Sequence, residues 1–301
     1  MKTLLPLLFA LLLALSACGS AATETEETAE GGTTVVATTY PVYLFASAVT
    51  EGVEGYTVEL MIDQPVSCLH DYTLSVNDMR TLESADVIVM NGAGLEETME
   101  DALSSVGETP VIDCSDGVDL LPSPKDPQEP DPHIWMDPVL ACQMIDTIAN
   151  DLSAFDPDHA DAFLRNAQEA TAQIASSYEE LKPHLADLPC RELITFHDGF
   201  QYFARAFDLT ILRAIEEEAG SEASAREVGD ILADIDTFGL PAVFTELNGS
   251  TATADLIARE AGISTAPLDL LMSRTHAGNG GVDEYVARLT DNITTIQEAY
   301  S

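Results

Sequence analysis

Residues 131–138 read DPHIWMDP and contain Trp135, the only tryptophan of the chain. Pro132 and Pro138 restrict the backbone on both sides, so His133 is expected on a stiff turn. Pro138 also suits the first turn of a helix, and apolar residues recur after it at helical spacing. These residues are Leu140, Met144, Ile145, Ile148 and Leu152. Taken alone, the stretch is interpreted as a helix N-terminus with a structural histidine.

Short apolar runs alternate with helical patterns before this stretch, and the same alternation restarts after residue 188. This alternation predicts an α/β fold with parallel sheets that carry helices on both faces. The predicted strands are 35–39, 57–62, 86–91, 110–114, 192–196, 209–215, 242–246 and 265–269. The predicted helices begin near Pro41 and at 75, 95, 138, 157, 200, 224, 252 and 282.

One helical pattern is unusually long, opening at Pro157 and running to about Leu185. Roughly 28 residues at 1.5 Å each would give a helix of about 42 Å, longer than a small domain is wide. We interpret it as a backbone helix that joins two lobes; the alternative is an ordinary surface helix of one domain. The predicted organisation is an N-terminal α/β lobe at 35–155, a linker helix at 156–188 and a C-terminal α/β lobe at 189–301.

The first residues have the pattern of an export signal. An apolar run from Leu4 to Leu15 follows Lys2 and is too short for an ordinary membrane span. The sequence LSAC at 15–18 resembles a bacterial lipobox, in which the chain is cut before the cysteine and the thiol receives a lipid. We therefore predict a lipoprotein signal peptide at 1–17, a lipid-bearing Cys18 and a disordered tether at 18–34. A plain secretory signal is the alternative.

The formal net charge of the chain is −40, from 52 acidic and 12 basic residues. Such a surface repels nucleic acid and anionic lipid, and it favours cations and solubility. These partners are therefore excluded by charge, whereas a membrane contact through a lipid anchor is not. The charge alone does not indicate a metal site, because a solvated acidic surface gives the same count.

Three of the six histidines follow predicted strands. They are His70, His133 and His197, and Asp269 ends the last strand in the same way. In open parallel sheets, ligands bind at this carboxyl edge. If the two sheets face one another across a cleft, three imidazoles and one carboxylate converge as a ligand set that suits zinc. The remaining histidines, His159, His184 and His276, are expected to be solvated.

Several acidic residues lie beside these candidates. Asp71 and Asp198 each follow a candidate histidine and could orient its ring by accepting a hydrogen bond, although a backbone carbonyl would serve equally well. Glu246 ends a predicted strand of the second lobe, as Asp269 does, so either carboxylate could complete the site. Metal binding requires neutral imidazoles, so affinity should fall below about pH 6.5.

Six motifs, in this order and spacing, resemble the metal-binding lipoproteins of zinc- and manganese-type ABC transporters. They are HDY at 70–72 with Ser75, NGAGLE at 91–96, DPHIWMDP at 131–138, TFHDGF at 195–200 with Tyr202 and Phe203, FTE at 244–246, and LD at 268–269. The resemblance covers about residues 35–300. It implies two α/β lobes joined by a long helix, with the metal in the cleft between them.

The same resemblance implies a function and a ligand set. It implies a receptor, not an enzyme, that delivers metal to the permease of its own importer, and we expect a monomer. The implied ligands are His70, His133, His197 and Asp269, with Asp269 favoured over Glu246. A histidine at position 197 favours Zn²⁺ over Mn²⁺, although Mn²⁺ is possible. The loop at 117–130 lacks the histidine-rich run of many zinc members.

Two other classes of protein remain as alternatives. The first is a secreted zinc-dependent hydrolase with three protein ligands, a water and a base such as Glu246; no helical HExxH motif supports it. The second is a surface adhesin that uses the metal only for stability.

Four cysteines remain besides Cys18: Cys68, Cys114, Cys142 and Cys190. In an oxidising exterior, disulfides are the favoured interpretation. Cys68 and Cys114 both lie near strand ends of the first lobe, which favours that pair and leaves Cys142 with Cys190. The alternative is that Cys68 joins His70 as a zinc ligand.

Overall fold

The computed structural model describes residues 32–65, 69, 72–215, 223–247, 249, 251–274 and 280–301. Several sequence predictions lie outside these residues: the signal peptide, the tether as far as residue 31, Cys18, Cys68, His70, Asp71 and His276.

The first half of the described chain forms a parallel sheet of four strands. They are β1 (Thr33–Ala37), β2 (Tyr56–Leu60), β3 (Val87–Met90) and β4 (Val111–Asp113), in the order β2-β1-β3-β4. The helices between them are α1 (Tyr40–Val49), α2 (Val76–Glu83) and α3 (Glu100–Ser105). Ser75 starts α2 as predicted, through a capping box with Asp78. The helix predicted from residue 95 begins later, with a 3₁₀ turn at Glu97–Met99 before α3.

Two long helices follow the DPHIWMDP stretch, α4 (Pro138–Phe155) and α5 (Ala160–Leu181). The side chain of Asp137 caps α4 by accepting a hydrogen bond from the Val139 backbone N–H at 2.8 Å. The α5 helix is shorter than predicted. Pro183 lacks a backbone N–H, and the chain continues from Leu181 as a 3₁₀ turn at Lys182–Leu185. Its 22 residues span about 33 Å, not about 42 Å.

The second half forms another parallel sheet with the same pattern of strand order. Its strands are β5 (Glu192–Thr195), β6 (Thr210–Ala214), β7 (Ala242–Glu246) and β8 (Ser264–Leu268), in the order β6-β5-β7-β8. Its helices are α6 (Gln201–Ala206), α7 (Ala225–Phe238), α8 (Ala252–Ala261) and α9 (Gly281–Ala299). The prediction of two parallel sheets with flanking helices is therefore confirmed.

The hydrophobic core is continuous across both sheets. One cluster of buried residues extends from Val36 of β1, through Phe163 and Ile174 of α5, to Phe244 of β7. A smaller cluster packs the second sheet against α7 and α8, around Ile231 and Ile257. Because α5 packs against α1, α4 and α9, it is part of a shared core and does not stand free between the sheets. The lobe boundaries at 155 and 188 stay a prediction.

Arginines that form ion pairs in the structure tie separate segments together. Arg205 of α6 contacts Asp137 at 2.8 Å, and Arg274 contacts Asp63 at 3.1 Å. Arg288 of α9 contacts Asp269 at 2.6 Å. No helix within the described ranges combines the length and apolar character that crossing a bilayer requires.

Candidate metal centre

His133 is held by the carboxylate of Asp131. Nδ1 of the imidazole lies 2.8 Å from Oδ1 of Asp131, and the backbone N–H of His133 donates to the same oxygen at 3.0 Å. An ionised carboxylate only accepts hydrogen bonds, so Nδ1 carries the proton and Nε2 keeps its lone pair. His133 is therefore fixed in the tautomer that offers Nε2 to a metal.

The charge around His133 raises its pKa. Burial alone would lower that pKa, but the hydrogen bond and charge of Asp131 outweigh it, and the charges of Asp198 and Glu246 act in the same direction. The neutral imidazole of His133 therefore takes up a second ring proton, and becomes a cation, at a higher pH than an ordinary histidine does.

The NGAGLE motif at 91–96 is hydrogen-bonded to the turn that carries His133. The side-chain amide of Asn91 donates to the backbone oxygen of Pro132 at 2.9 Å. Glu96 is fully buried and accepts from Thr38 Oγ1 at 2.7 Å and from the Asn91 backbone N–H at 2.9 Å. Burial raises the pKa of Glu96 to about 7, against the opposing effect of these donors. The motif thus ties β1, β3 and the His133 turn together.

The second half of the chain holds the same turn from the other side. The hydroxyl of Tyr202 on α6 donates to the backbone oxygen of Asp131 at 3.1 Å. Nε1 of Trp135 donates to the Leu270 backbone oxygen at 2.8 Å, and Tyr285 Oη on α9 donates to the Trp135 oxygen at 2.7 Å. The DPHIWMDP stretch is therefore hydrogen-bonded to both halves of the chain.

The structure brings two of the predicted ligands, His133 and His197, into ring contact. His197 follows β5, and the hydroxyl of Thr195 donates to its backbone oxygen at 2.8 Å. The two imidazole centroids are 5.5 Å apart and the ring planes are inclined by 77°. Both histidines are buried. The ring nitrogen Nε2 of His197 lies 3.4 Å from Asp198 Oδ1, longer than a typical N–H···O hydrogen bond.

Gly199 makes this close approach possible. A Cβ at position 199 would lie 2.9 Å from Nε2 of His133 and 2.8 Å from Cδ2 of Leu270. Any side chain at position 199 would push on Nε2 of His133, the ring nitrogen that is available to a metal. This steric limit explains why the TFHDGF motif carries a glycine at position 199.

Asp269 follows β8 and is held by α9. Its carboxylate accepts two hydrogen bonds from Arg288, and its backbone N–H donates to Asn292 Oδ1 at 2.8 Å. Glu246, at the end of the neighbouring β7, pairs in register with Leu268. Burial raises the pKa of Glu246 to about 8; the charge of His133 opposes this shift and that of Asp269 adds to it. Glu246 is thus close enough to sense both.

The predicted ligands do not all meet within the described residues. In those ranges, no group of three or more His, Cys, Asp or Glu side chains is close enough together to hold a metal ion. His133 and His197 are in contact, Asp269 is engaged with Arg288, and His70 lies outside the described residues. His159, expected to be solvated, keeps 40% of its side chain exposed, and its Nδ1 lies 2.6 Å from Asp156 Oδ2.

Three residues around the site were missed from the sequence. Asp131 was part of the quoted stretch, and the tendency of Asp to accept a hydrogen bond from the backbone N–H two residues on could have identified it. Arg288 and Asn292 lie four residues apart on α9 and so share one helix face. Nothing in their local sequence indicates that this face meets Asp269.

The predicted disulfide between Cys142 and Cys190 is wrong, because both are free thiols. Cys142 faces α5, where its Sγ lies 3.7 Å from the Thr171 backbone oxygen. Cys190 precedes β5 instead, beside Tyr300. Cys114 is also a free thiol, fully buried after β4. Its predicted partner, Cys68, lies outside the described residues.

The family model for "Zinc-uptake complex component A periplasmic" (ZnuA) matches residues 35–299. The chain belongs to this family of solute-binding receptors. It is 26% identical over 304 residues to the zinc-binding lipoprotein AdcA of Streptococcus pneumoniae R6, covering 96% of this chain and 60% of AdcA. It is 23% identical to the manganese-binding lipoprotein MntA of Halalkalibacterium halodurans, covering 97% of this chain and 96% of MntA.

A solved structure supports the fold assignment. The crystal structure of a ZnuA superposes with a TM-score of 0.78 at 27% identity, covering 90% of this chain and all of the other. The chain spans about 60% of the length of the AdcA relatives it matches. The two-lobe architecture that the motifs predicted is therefore the fold of this family.

Proposed function

We propose that this protein is an extracytoplasmic receptor that captures Zn²⁺ and delivers it to the permease of an ABC importer. The main supporting observation is the buried pair His133 and His197, two imidazoles from different halves of the chain with ring centroids 5.5 Å apart. Asp131 fixes the tautomer of His133 that a metal needs. Membership of a family described by zinc uptake supports this function.

The proposed ligands are His70, His133, His197 and Asp269. Three imidazoles and one carboxylate make a closed tetrahedral zinc site with no position for a reactive water, so the protein binds metal and does not catalyse. Imidazole donors and the Irving–Williams order favour Zn²⁺ over Mn²⁺. Mn²⁺ remains the second candidate cargo, because one relative is named for it.

Calorimetric titration of the purified full chain in detergent tests this proposal. We expect tight binding of one Zn²⁺ and weaker binding of Mn²⁺, with zinc binding lost in His133→Ala and in His197→Ala. His184→Ala is the matched control, because this exposed histidine lies in the 3₁₀ turn after α5. Unchanged zinc affinity in both site variants would refute the proposed site.

Two further assays separate the competing classes. A zinc-dependent hydrolase with Glu246 as base would cleave substrates in a hydrolase screen, and a Glu246→Gln variant would not. An adhesin would need zinc for folding but not for growth in chelated medium. We expect no hydrolysis, and we expect loss of the protein to impair growth in chelated medium unless zinc is restored.

The proposed location is the outer face of the cell membrane, through a lipid on Cys18. Its partners are then the membrane and the permease of the same importer, and we propose that the receptor acts as a monomer. Cys18→Ser should release the protein from membranes while zinc binding stays intact, since the proposed ligands lie more than fifty positions downstream. Membrane retention of the variant would contradict the anchor.

A further inference from the structure

The carboxylate of Asp269 is clamped by a buried guanidinium. Arg288 donates from Nε to Oδ2 at 2.6 Å and from Nη2 to Oδ1 at 2.8 Å. Arg288 is 5% exposed and is itself fixed, because Nη1 donates to the Ser273 backbone oxygen at 2.9 Å. Its guanidinium carbon also lies 5.4 Å from the centre of the Tyr40 ring. Arg288 therefore cannot easily move away from Asp269.

The two carboxylate oxygens of Asp269 differ in what they can still accept. Each has two lone-pair directions. Oδ1 accepts from Arg288 Nη2 and from the Leu271 backbone N–H, both at 2.8 Å, so both of its directions are used. Within the described residues, Oδ2 accepts only from Arg288 Nε. One lone pair, on Oδ2, is left for a further partner.

We propose that Arg288 is a specificity-determining positioning residue that makes Asp269 a one-oxygen ligand. This inference rests on the proposed function, in which Asp269 is a ligand. A single carboxylate oxygen and three imidazoles give the four-coordinate site that Zn²⁺ prefers. Mn²⁺ is harder and favours more oxygen donors, and it could gain a second oxygen only by displacing a hydrogen bond from Arg288 or Leu271.

The cost of that displacement is what gives Arg288 its effect on selectivity. Breaking the clamp would leave a buried guanidinium with fewer partners in a water-poor site, which is strongly unfavourable. The positive charge of Arg288 opposes every divalent cation alike and so cannot by itself select between metals. The forked geometry of the guanidinium can select, and lysine does not reproduce it.

Arg288→Lys tests the fork while keeping the charge. We expect the ratio of zinc to manganese affinity, measured by competition with a chelator, to fall by about tenfold or more. With Co²⁺ as probe, the wild-type protein should give the intense visible absorption of four-coordinate cobalt. The Lys variant should give the weaker absorption of a higher coordination number.

Two control variants separate this effect from simple loosening. Arg274→Lys alters another arginine that pairs with an aspartate, Asp63, and stacks on a tyrosine, Tyr43. It should leave the affinity ratio unchanged. Asn292→Ser removes the side-chain amide that makes two hydrogen bonds with the Asp269 backbone, and it should weaken the binding of both metals to a similar degree.

Three outcomes would overturn the proposal. An unchanged affinity ratio in Arg288→Lys, with binding still abolished in Asp269→Asn, would refute the one-oxygen role and leave the receptor function standing. Full zinc binding in Asp269→Asn would remove Asp269 from the ligand set altogether. If Arg288→Lys does not fold, the wild-type cobalt spectrum still decides, since weak absorption there would show that four-coordination is not imposed.

Discussion

The indole N–H of Trp135 donates to the backbone oxygen of Leu270 at 2.8 Å, which joins the DPHIWMDP stretch to the residue after Asp269. The indole is fully buried, and its centroid lies 5.3 Å from the His133 ring. A single hydrogen bond therefore connects the surroundings of two proposed ligands that come from opposite halves of the chain.

Zinc is expected to change the fluorescence of Trp135. A cation on Nε2 of His133 alters the electric field at the indole, whose centroid lies 5.3 Å from that of the His133 ring, so the fluorescence intensity should change even though the turn is already ordered. The chain has one tryptophan, so the signal has a single source. His133→Ala should abolish the response. An unchanged spectrum at saturating zinc would count against His133 as a ligand.

Replacing Asp131 by Asn should weaken zinc binding by roughly 10- to 100-fold, the usual effect of losing the partner that orients a metal-bound histidine. The amide can turn its NH₂ toward Nδ1 of His133 and so favour the wrong tautomer. Chelator competition measures the change. Asp198→Asn is the control, and it should cost less because its contact with His197 is 3.4 Å. Equal effects would refute the special role of Asp131.

Zinc affinity should decrease on acidification, beginning above pH 6.5. Protons and zinc compete for His133, whose pKa is raised, so the neutral imidazole is lost as pH falls through that raised value. In Asp131→Asn the pKa should drop, and the onset of the loss should move to lower pH. Calorimetry over a pH series measures both curves, and coincident onsets would contradict the assignment.

Asp269→Ala should weaken zinc binding more than Glu246→Ala does. Asp269 is held in place by Arg288, Leu271 and Asn292, whereas burial raises the pKa of Glu246 to about 8, so binding through Glu246 would first require loss of a proton at neutral pH. The two variants are compared by the same competition titration. If Glu246→Ala is the more damaging, the fourth ligand is Glu246. If neither matters, a three-histidine site with an open position has to be considered.

The stability of the fold should depend on pH through Glu96. Its pKa of about 7 in the folded protein lies above the unfolded value of 4.5, so the folded state holds the extra proton between these values. Stability from this group is therefore full below about pH 4.5 and decreases toward pH 7, by about 3 kcal/mol at 1.36 kcal/mol per unit. Chemical unfolding should show a steeper loss of stability with pH in the wild type than in Glu96→Gln, which keeps only the contribution of other raised carboxyls such as Glu246.

The elements of the fold were readable because each carries a local signal. The Ser75 capping box and the alternation of short apolar runs with helical patterns gave the elements to within a few residues. The end of α5 also carries a local signal, since Pro183 stands where the helix becomes 3₁₀, although the apolar period continues past it to Leu185. At this helix end the proline outweighs the apolar periodicity.

The positions of the candidate histidines could be predicted from the sequence, but the contacts around Asp269 could not. His133 and His197 could each be assigned to the carboxyl edge of its own predicted sheet, because parallel strands end there together. The clamp of Arg288 on Asp269 could not, because it depends on which face of α9 packs against β8. The free thiols of Cys142 and Cys190 show the same limit: cysteine counting indicates that pairs are possible but not which elements meet.

The excess of 40 negative charges has a consequence for ionic strength. Salt screens the repulsion between exposed carboxylates, with a Debye length of about 10 Å at 0.1 M and about 3 Å at 1 M. Added salt therefore weakens this repulsion at the surface. The Arg288–Asp269 pair is largely buried, with side chains 6% and 15% exposed, and is screened much less. High salt should thus stabilise the acidic surface of this protein while changing the buried Arg288–Asp269 pair at the proposed metal site much less.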